Sequence, residues 1–144
     1  MMLDKFHPVP PPPTSASLTH GEEVSTLELT WARPTEQMME SHANEKDATE
    51  DAAYGVAIAA AHHCGYRVRR RTHHGSGADL LMVRHGEPDN DFIKLEVSGI
   101  ARGRSLEGRL AEKLAQVGGG DLDRPGVALV VELEAAAILV KRRT

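Results

Sequence analysis

Residues 92–100 read FIKLEVSGI, and apolar and polar side chains alternate from Ile93 to Ser98 within this stretch. Side chains two apart on a strand share a face, so Lys94, Glu96 and Ser98 point to one side of a sheet. The other side carries the apolar side chains Ile93, Leu95 and Val97. The alternation predicts a central strand with a core on one face and a carboxylate beside a cation on the other.

Two further strands are predicted before this one, over residues 66–72 and 78–84. The turn between them contains Gly75, Ser76 and Gly77, which are typical turn residues. A second turn, over residues 87–91, is acidic and leads into the central strand. We therefore expect three neighbouring strands in one sheet.

Helices are predicted on either side of these strands in the chain. Residues 47–64 carry small apolar residues every three or four positions, with Asp47 as a predicted N-cap, Glu50 in a capping-box position and Gly65 as terminator. Ser105 is predicted to cap a second helix, which ends at a run of three glycines.

Residues 127–133 are almost all apolar, as in a buried strand, and residues 134–144 fit either another strand or a short helix. The predicted order is therefore helix, three strands, helix, strand, after one leading strand over residues 24–31. This order indicates an α/β fold in which a central mixed sheet is flanked by helices.

The amino-terminal part is predicted to lie outside that fold, since five prolines stand among residues 8–13. We predict a disordered, proline-rich tail over residues 1–20, a leading strand and linker over residues 21–46, and the α/β domain over residues 47–144. A chain of 144 residues has room for one core.

Composition narrows the class of protein. The chain has a single cysteine, Cys64, and contains no apolar run long enough to span a bilayer, so we expect a soluble cytoplasmic protein without a membrane partner. The net charge is −4, yet residues 65–113 hold ten Lys or Arg against seven Asp or Glu. This local positive excess would suit binding of phosphate groups.

Asp79 opens the second predicted strand, next to the strand that carries Glu96. Carboxylates from the adjoining ends of two paired strands can share a hard divalent cation such as Mg²⁺. Two structural alternatives stay open: Asp79 can accept hydrogen bonds within its own turn, and Glu96 can form an ion pair with Lys94.

These residues give the chain a resemblance to the restriction-endonuclease-like PD-(D/E)xK nuclease superfamily, over about residues 47–133. The element order agrees, with Gly77-Ala78-Asp79 opening the second strand and Lys94-Leu95-Glu96-Val97-Ser98 on the third. The resemblance implies that Asp79 and Glu96 bind Mg²⁺, and that Glu50 matches the acidic residue that some branches place on the first helix.

The chain departs from the family motif at Ser98, which stands where the motif has its catalytic lysine. Serine has no positive charge to place beside the reacting phosphate. Lys94, on the same face of the strand, and Lys113, on the second helix, are the candidates to replace that charge. The phosphates themselves are predicted to contact arginines, Arg69, Arg71, Arg102 and Arg104.

Two functions are therefore expected from the sequence. The first is a Mg²⁺-dependent nuclease or nuclease-like subunit that hydrolyses phosphodiesters, in DNA rather than RNA, and that forms a homo-oligomer or binds a partner to grip a duplex. The second is a catalytically inactive protein of the same fold, acting as a binding, antitoxin, immunity or accessory subunit of a larger assembly. A zinc site among the histidines around Cys64 is a further alternative, although no standard zinc-binding spacing appears.

Overall fold

The computed structural model describes residues 2–7, 14–32, 34–41, 44–72, 75–103, 105–120 and 123–143. Its helices are α1 (Met2–Phe6), α2 (Glu36–Ser41), α3 (Glu45–His63) and α4 (Leu106–Val117). Its strands are β1 (Thr14–His20), β2 (Glu23–Leu29), β3 (Tyr66–Arg71), β4 (Leu80–Arg84), β5 (Phe92–Ile100), β6 (Gly126–Glu132) and β7 (Ala137–Arg142). No helix in these ranges is long and apolar enough to cross a membrane.

The strands of the described ranges form one mixed sheet of seven, in the order β2-β1-β7-β6-β5-β4-β3. The pairs β5/β6 and β1/β7 are parallel, and the other neighbouring pairs are antiparallel. The predicted mixed α/β sheet is thus confirmed, and β5 occupies the predicted range. The open choice for residues 134–144 is settled as a strand, because β7 pairs with β6.

The two longer helices cover opposite faces of the sheet. Helix α3 packs on the face that carries Leu95 and Val97, whereas Leu110 of α4 packs with Ala128 and Val130 on the other face. Because successive side chains of a strand alternate between faces, the polar side chains of β5 lie on the side of α4. This placement brings α4 over the predicted site.

Helix α3 lies close to β5 because its contact face is made of small residues. A Cβ atom added to Gly99 would stand 2.8 Å from the Cβ of Ala53 and 2.7 Å from the backbone oxygen of Thr49. The predicted capping was wrong in detail: the N-cap is Asn44, whose side chain accepts a hydrogen bond from the Lys46 amide at 2.9 Å. Asn44 is as good a capping residue as Asp, so the helix begins one turn earlier than predicted.

The capping of α4 agrees with the prediction. The Ser105 hydroxyl accepts a hydrogen bond from the Gly108 amide at 3.2 Å, and the helix ends at Gly118. Leu110 and Val117 are buried on its sheet-facing side. The helix is therefore held at both ends, and its position over β5 and β6 follows from its apolar face.

The amino-terminal part differs from the predicted disordered tail. Strand β1 lies within residues 1–20, forms a hairpin with β2 and pairs with β7, so the predicted boundaries at residues 20/21 and 46/47 do not separate structural units. Ala16 and Leu18 are buried and alternate with Ser15, Ser17 and Thr19, a strand pattern that the nearby prolines outweighed in the prediction. Residues 8–13, which contain those prolines, lie outside the described residues.

Two glycine loops meet beneath α4 at a distance that excludes side chains. Gly77 has a φ of +73°, and a Cβ added there would stand 2.1 Å from the backbone oxygen of Gly119. Gly120, with a φ of +84°, approaches the backbone of Ser76 equally closely. The loop before Asp79 therefore packs directly on the loop after α4, which fixes the start of β4.

We expect Gly77→Ala to lower the free energy of unfolding by about 2–4 kcal/mol, since backbone strain at positive φ and an overlap with Gly119 act together. Gly75→Ala is the matched control, because Gly75 has a φ of +90° but no atom within 4 Å of an added Cβ. For Gly75→Ala we expect the free energy of unfolding to fall by the backbone strain alone, about 1–2 kcal/mol. Urea unfolding of both variants measures the difference; equal losses would contradict the close contact.

Candidate active site

Asp79 stands where β4 stops covering the edge of β5. Strand β4 pairs with β5 only as far as the register Leu80–Leu95, so β5 continues beyond it. The Asp79 amide donates to the Leu95 oxygen at 3.0 Å, and its carboxylate Oδ2 accepts from the Val97 amide at 2.8 Å. Asp79 is thus fixed against β5 itself, beyond the bonds of a local turn.

Glu96 projects from β5 towards α4 and meets Lys113 there. The Lys113 Nζ lies 2.8 Å from Glu96 Oε1, and the two side chains are only 19% and 9% exposed. An ion pair removed this far from water interacts more strongly than an exposed one. The structure therefore pairs Glu96 with Lys113, not with Lys94 as the structural alternative had it.

The pKa of the Glu96 carboxyl is raised above its ordinary value, first because burial disfavours the charged form. The negative charge of Asp79 and a hydrogen bond with that carboxyl raise it further, whereas Lys113 lowers it. Two carboxyl groups thus lie together with one ammonium group beside them. A further positive charge, such as a bound cation, would be stabilised beside these two carboxyl groups.

The raised pKa predicts how the stability of the metal-free protein depends on pH. The native state holds the Glu96 proton more tightly than the unfolded chain, so the free energy of unfolding falls as the pH rises from about 4.3, the ordinary Glu value, through the raised native value. The expected slope from this group is at most about 1.4 kcal/mol per pH unit.

Glu96→Gln should remove this part of the pH dependence, since glutamine does not titrate. Urea unfolding between about pH 4 and about pH 8 measures it, with Glu107→Gln on the exposed side of α4 as control. A curve for Glu96→Gln that parallels the wild type would show that Glu96 titrates normally.

A cleft of about 530 Å³ opens beside these residues, along the uncovered edge of β5 and between the two helices. Asp79 and Ser98 lie at its sheet side, Glu50 at the side of α3 and Lys113 at the side of α4. Two more cations, Lys46 and Arg109, line the same cleft. The cleft thus combines carboxylates with three basic side chains, the combination that a phosphate ester bound through a divalent cation requires.

The two candidate lysines are placed differently. Lys94 is 2% exposed and its Nζ donates to the Gly119 oxygen at 3.2 Å, so it holds the loop after α4. Lys113 contacts Glu96 and lines the cleft. Of the two replacements considered for the motif lysine, Lys113 is the one that joins the carboxylates.

The predicted phosphate-binding arginines lie elsewhere or outside the described side chains. Arg69 bonds the backbone oxygen of Asp89 at 2.8 Å, and the Arg102 guanidinium lies 5.5 Å from the centre of the Phe6 ring. Neither lines the cleft. The side chain of Arg71 and the whole of Arg104 fall outside the described part of the structure.

Two cleft residues, Lys46 and Arg109, were not predicted from the sequence. Arg109 stands four residues before Lys113, a spacing that puts both on one side of α4, and this signal was available. Lys46 had no such signal, because its place at the cleft depends on the helix start at Glu45 and on the packing of α3 across β5.

The donor groups fit a hard divalent cation. Asp79 and Glu96 supply two adjacent carboxylates, and the Val97 carbonyl faces the same uncovered edge, since the N–H and C=O of a strand residue point the same way and its N–H points to Asp79. Mg²⁺ binds proteins through one or two carboxylates and keeps several waters.

Glu50 is not grouped with that pair. Among the described residues no three His, Cys, Asp or Glu side chains come together in a way that could hold a metal ion. Glu50 is an exposed residue of α3 on the cleft rim, so two carboxylates, not three, form the candidate centre. Comparison of the chain with protein-family models, with curated proteins and with solved structures found no match.

Proposed function

We propose that this protein is a metal-dependent nuclease of the restriction-endonuclease-like type. The observation that carries the proposal is the grouping of three side chains at one cleft: Asp79 and Lys113 line it, and the Glu96 carboxylate beside it lies 2.8 Å from the Lys113 ammonium group and has its pKa raised by the negative charge of Asp79. Hydrolysis of a phosphodiester needs carboxylates for the cation and a positive charge near the attacking water.

The element order supports the proposal at the level of the fold. Helix α3, strands β3, β4 and β5, helix α4 and strand β6 follow one another in the order expected from the resemblance. Asp79 precedes the second of these strands and Glu96 lies on the third. This agreement in element order supports the proposed relationship to the PD-(D/E)xK superfamily.

In the proposed mechanism Asp79, Glu96 and the Val97 carbonyl would hold Mg²⁺. When bound, the ion polarises a phosphoryl oxygen and lowers the pKa of its water. Lys113 supplies the charge that Ser98 lacks: its ammonium group, anchored by Glu96, stabilises negative charge that develops on the phosphate. Helix α4 therefore takes over the role that the motif gives to the strand.

Lys46 and Arg109 orient the phosphate backbone of the substrate from the rims of the cleft. Both are exposed, and they stand on opposite sides of the cleft, one on each helix. Their contacts carry affinity without base specificity, because they reach phosphates rather than base edges. DNA is the first substrate to test, and a second copy of the chain would help to grip a duplex.

The test is incubation of the purified chain with labelled duplex DNA, single-stranded DNA and RNA in the presence of Mg²⁺, Mn²⁺ or EDTA. We expect cleavage with either cation and none with EDTA. Calorimetric titration of the two cations into the same protein separates binding from chemistry. Cation binding without cleavage of any substrate would contradict nuclease activity.

That outcome would favour the second function, an inactive accessory, antitoxin or immunity subunit that binds nucleic acid or a protein. The observation in its favour is Ser98, which lies in the cleft where the motif lysine belongs. In such a protein the pair of Lys113 and Glu96 would act only as a structural ion pair. Retained nucleic-acid binding in EDTA, unchanged by Glu96→Gln, is the expected sign of it.

A further inference from the structure

Two histidines that are distant in the sequence meet at the end of the sheet opposite the cleft. His62 stands in the last turn of α3, and His85 directly follows β4. A hydrogen bond of 3.4 Å joins the Nδ1 of His62 and the Nε2 of His85, and the ring centres are separated by 5.1 Å. Both side chains are exposed, so a solute can reach both nitrogens.

The separation of the two nitrogens matches the distance between two ligand atoms of a tetrahedral metal ion. With Zn–N bonds of about 2.0–2.1 Å and a tetrahedral angle, two ligating nitrogens lie roughly 3.3–3.4 Å apart. In octahedral geometry the same bonds would place them only about 2.9 Å apart. Exposed imidazole rings can turn about their last torsion, which has broad minima, so both lone pairs can be directed at one ion.

We propose that His62 and His85 together bind a zinc-class transition-metal ion. Neutral imidazole is a preferred ligand of Zn²⁺, Ni²⁺ and Cu²⁺, whereas Mg²⁺ selects oxygen ligands. No third protein ligand joins the pair within the described residues, so water or another exchangeable ligand completes the coordination. The chemistry of the donors separates this site from the carboxylate pair.

A metal ion bound by His62 and His85 would connect the end of α3 to the turn after β4. His85 and Asp79 flank β4 at its two ends, about 20 Å apart at the rise of an extended strand, so the two sites do not share ligands. The His85 amide already donates to the Gly65 oxygen at 2.8 Å. An ion between the rings would replace their hydrogen bond with metal–nitrogen bonds between the end of α3 and the turn after β4.

The test is a titration of Zn²⁺ into the full chain, followed by the ring signals of its histidines in NMR spectra and by thermal unfolding. At a free Zn²⁺ concentration ten times the dissociation constant, we expect the unfolding midpoint to rise by about 3–6 °C. The His62 and His85 signals should shift together, and Mg²⁺ should shift neither.

The matched variants are His62→Gln, His85→Gln and His63→Gln. His63 is the exposed neighbour on the same helix turn, so its loss should leave the zinc effect unchanged, whereas either of the other changes should abolish it. The histidine variants are made in the Glu96→Gln background, because Zn²⁺ also binds carboxylates, and this background alone should retain the effect of the histidine pair. A zinc effect that survives His62→Gln, or that disappears with His63→Gln or Glu96→Gln, would overturn the proposal.

Discussion

The double variant Asp79→Asn/Glu96→Gln is expected to lose Mg²⁺ binding and to cleave nucleic acid at least about 10³-fold more slowly than the wild type. Both substitutions remove a negative charge and preserve shape. An asparagine at position 79 can still accept the hydrogen bond from the Val97 amide, and a glutamine at position 96 can still accept one from Lys113. Loss of function would then reflect the charge and not the fold.

Calorimetry with Mn²⁺ and a cleavage assay measure the two losses, and circular dichroism checks folding. The control is Asp89→Asn/Glu107→Gln, which removes two exposed carboxylates outside the cleft and should leave both activities unchanged. If the site variant stays folded and still binds Mn²⁺ as tightly as the wild type, Asp79 and Glu96 are not the metal centre.

Lys113→Met is expected to reduce cleavage by about 10²–10³-fold while metal binding is kept or becomes tighter. The methionine side chain replaces the length of lysine without its charge, so the two carboxylates lose their competing ammonium group. The cleavage rate should therefore fall without any loss of metal affinity, in contrast to the double carboxylate variant. Single-turnover rates at saturating metal measure the chemical step.

A second substitution can restore the lost charge from the strand. Ser98 lies on the same face of β5 as Glu96 and lines the cleft beside Lys113, so a lysine at position 98 would enter the same space. We expect Ser98→Lys to recover part of the activity lost in Lys113→Met. Lys94→Met is the control, since Lys94 bonds the Gly119 loop and should affect stability, not the rate. If Lys113→Met cleaves as fast as the wild type, and Ser98→Lys adds no activity in the folded protein, then the reaction does not need a lysine charge at this side of the cleft.

Local pattern was enough to predict most of the fold. The range of β5 was predicted because alternation runs from Ile93 to Ser98 and an acidic turn precedes the strand. The cap of α4 was predicted because serine and a triple glycine mark its two ends. Strand β1 was missed because its alternation is built of Ser, Thr and Ala, a weaker signal than the prolines before it.

The candidate site was predictable only where it depends on strand pairing. Asp79 and Glu96 were expected to be neighbours because Asp79 was predicted to open the strand next to the one that carries Glu96; in the structure Asp79 directly precedes β4, which pairs with β5. The choice between Lys94 and Lys113 depends on where α4 crosses the sheet, which periodicity does not specify. Arg69 could not be placed either, since its partner Asp89 lies in a turn whose direction follows from the hairpin geometry.

The parallel pairing of β1 with β7 has a consequence for the order of folding. Ser17 is in register with Ala137, so this contact can form only after all of the intervening residues have been synthesised. The β3–β4–β5 meander, in contrast, has short-range contacts and can form early. Until β7 is in place, the β1–β2 hairpin has no sheet to join, and a two-stranded hairpin is marginal alone. The first strand of the chain is therefore expected to be among the last to acquire its native partners.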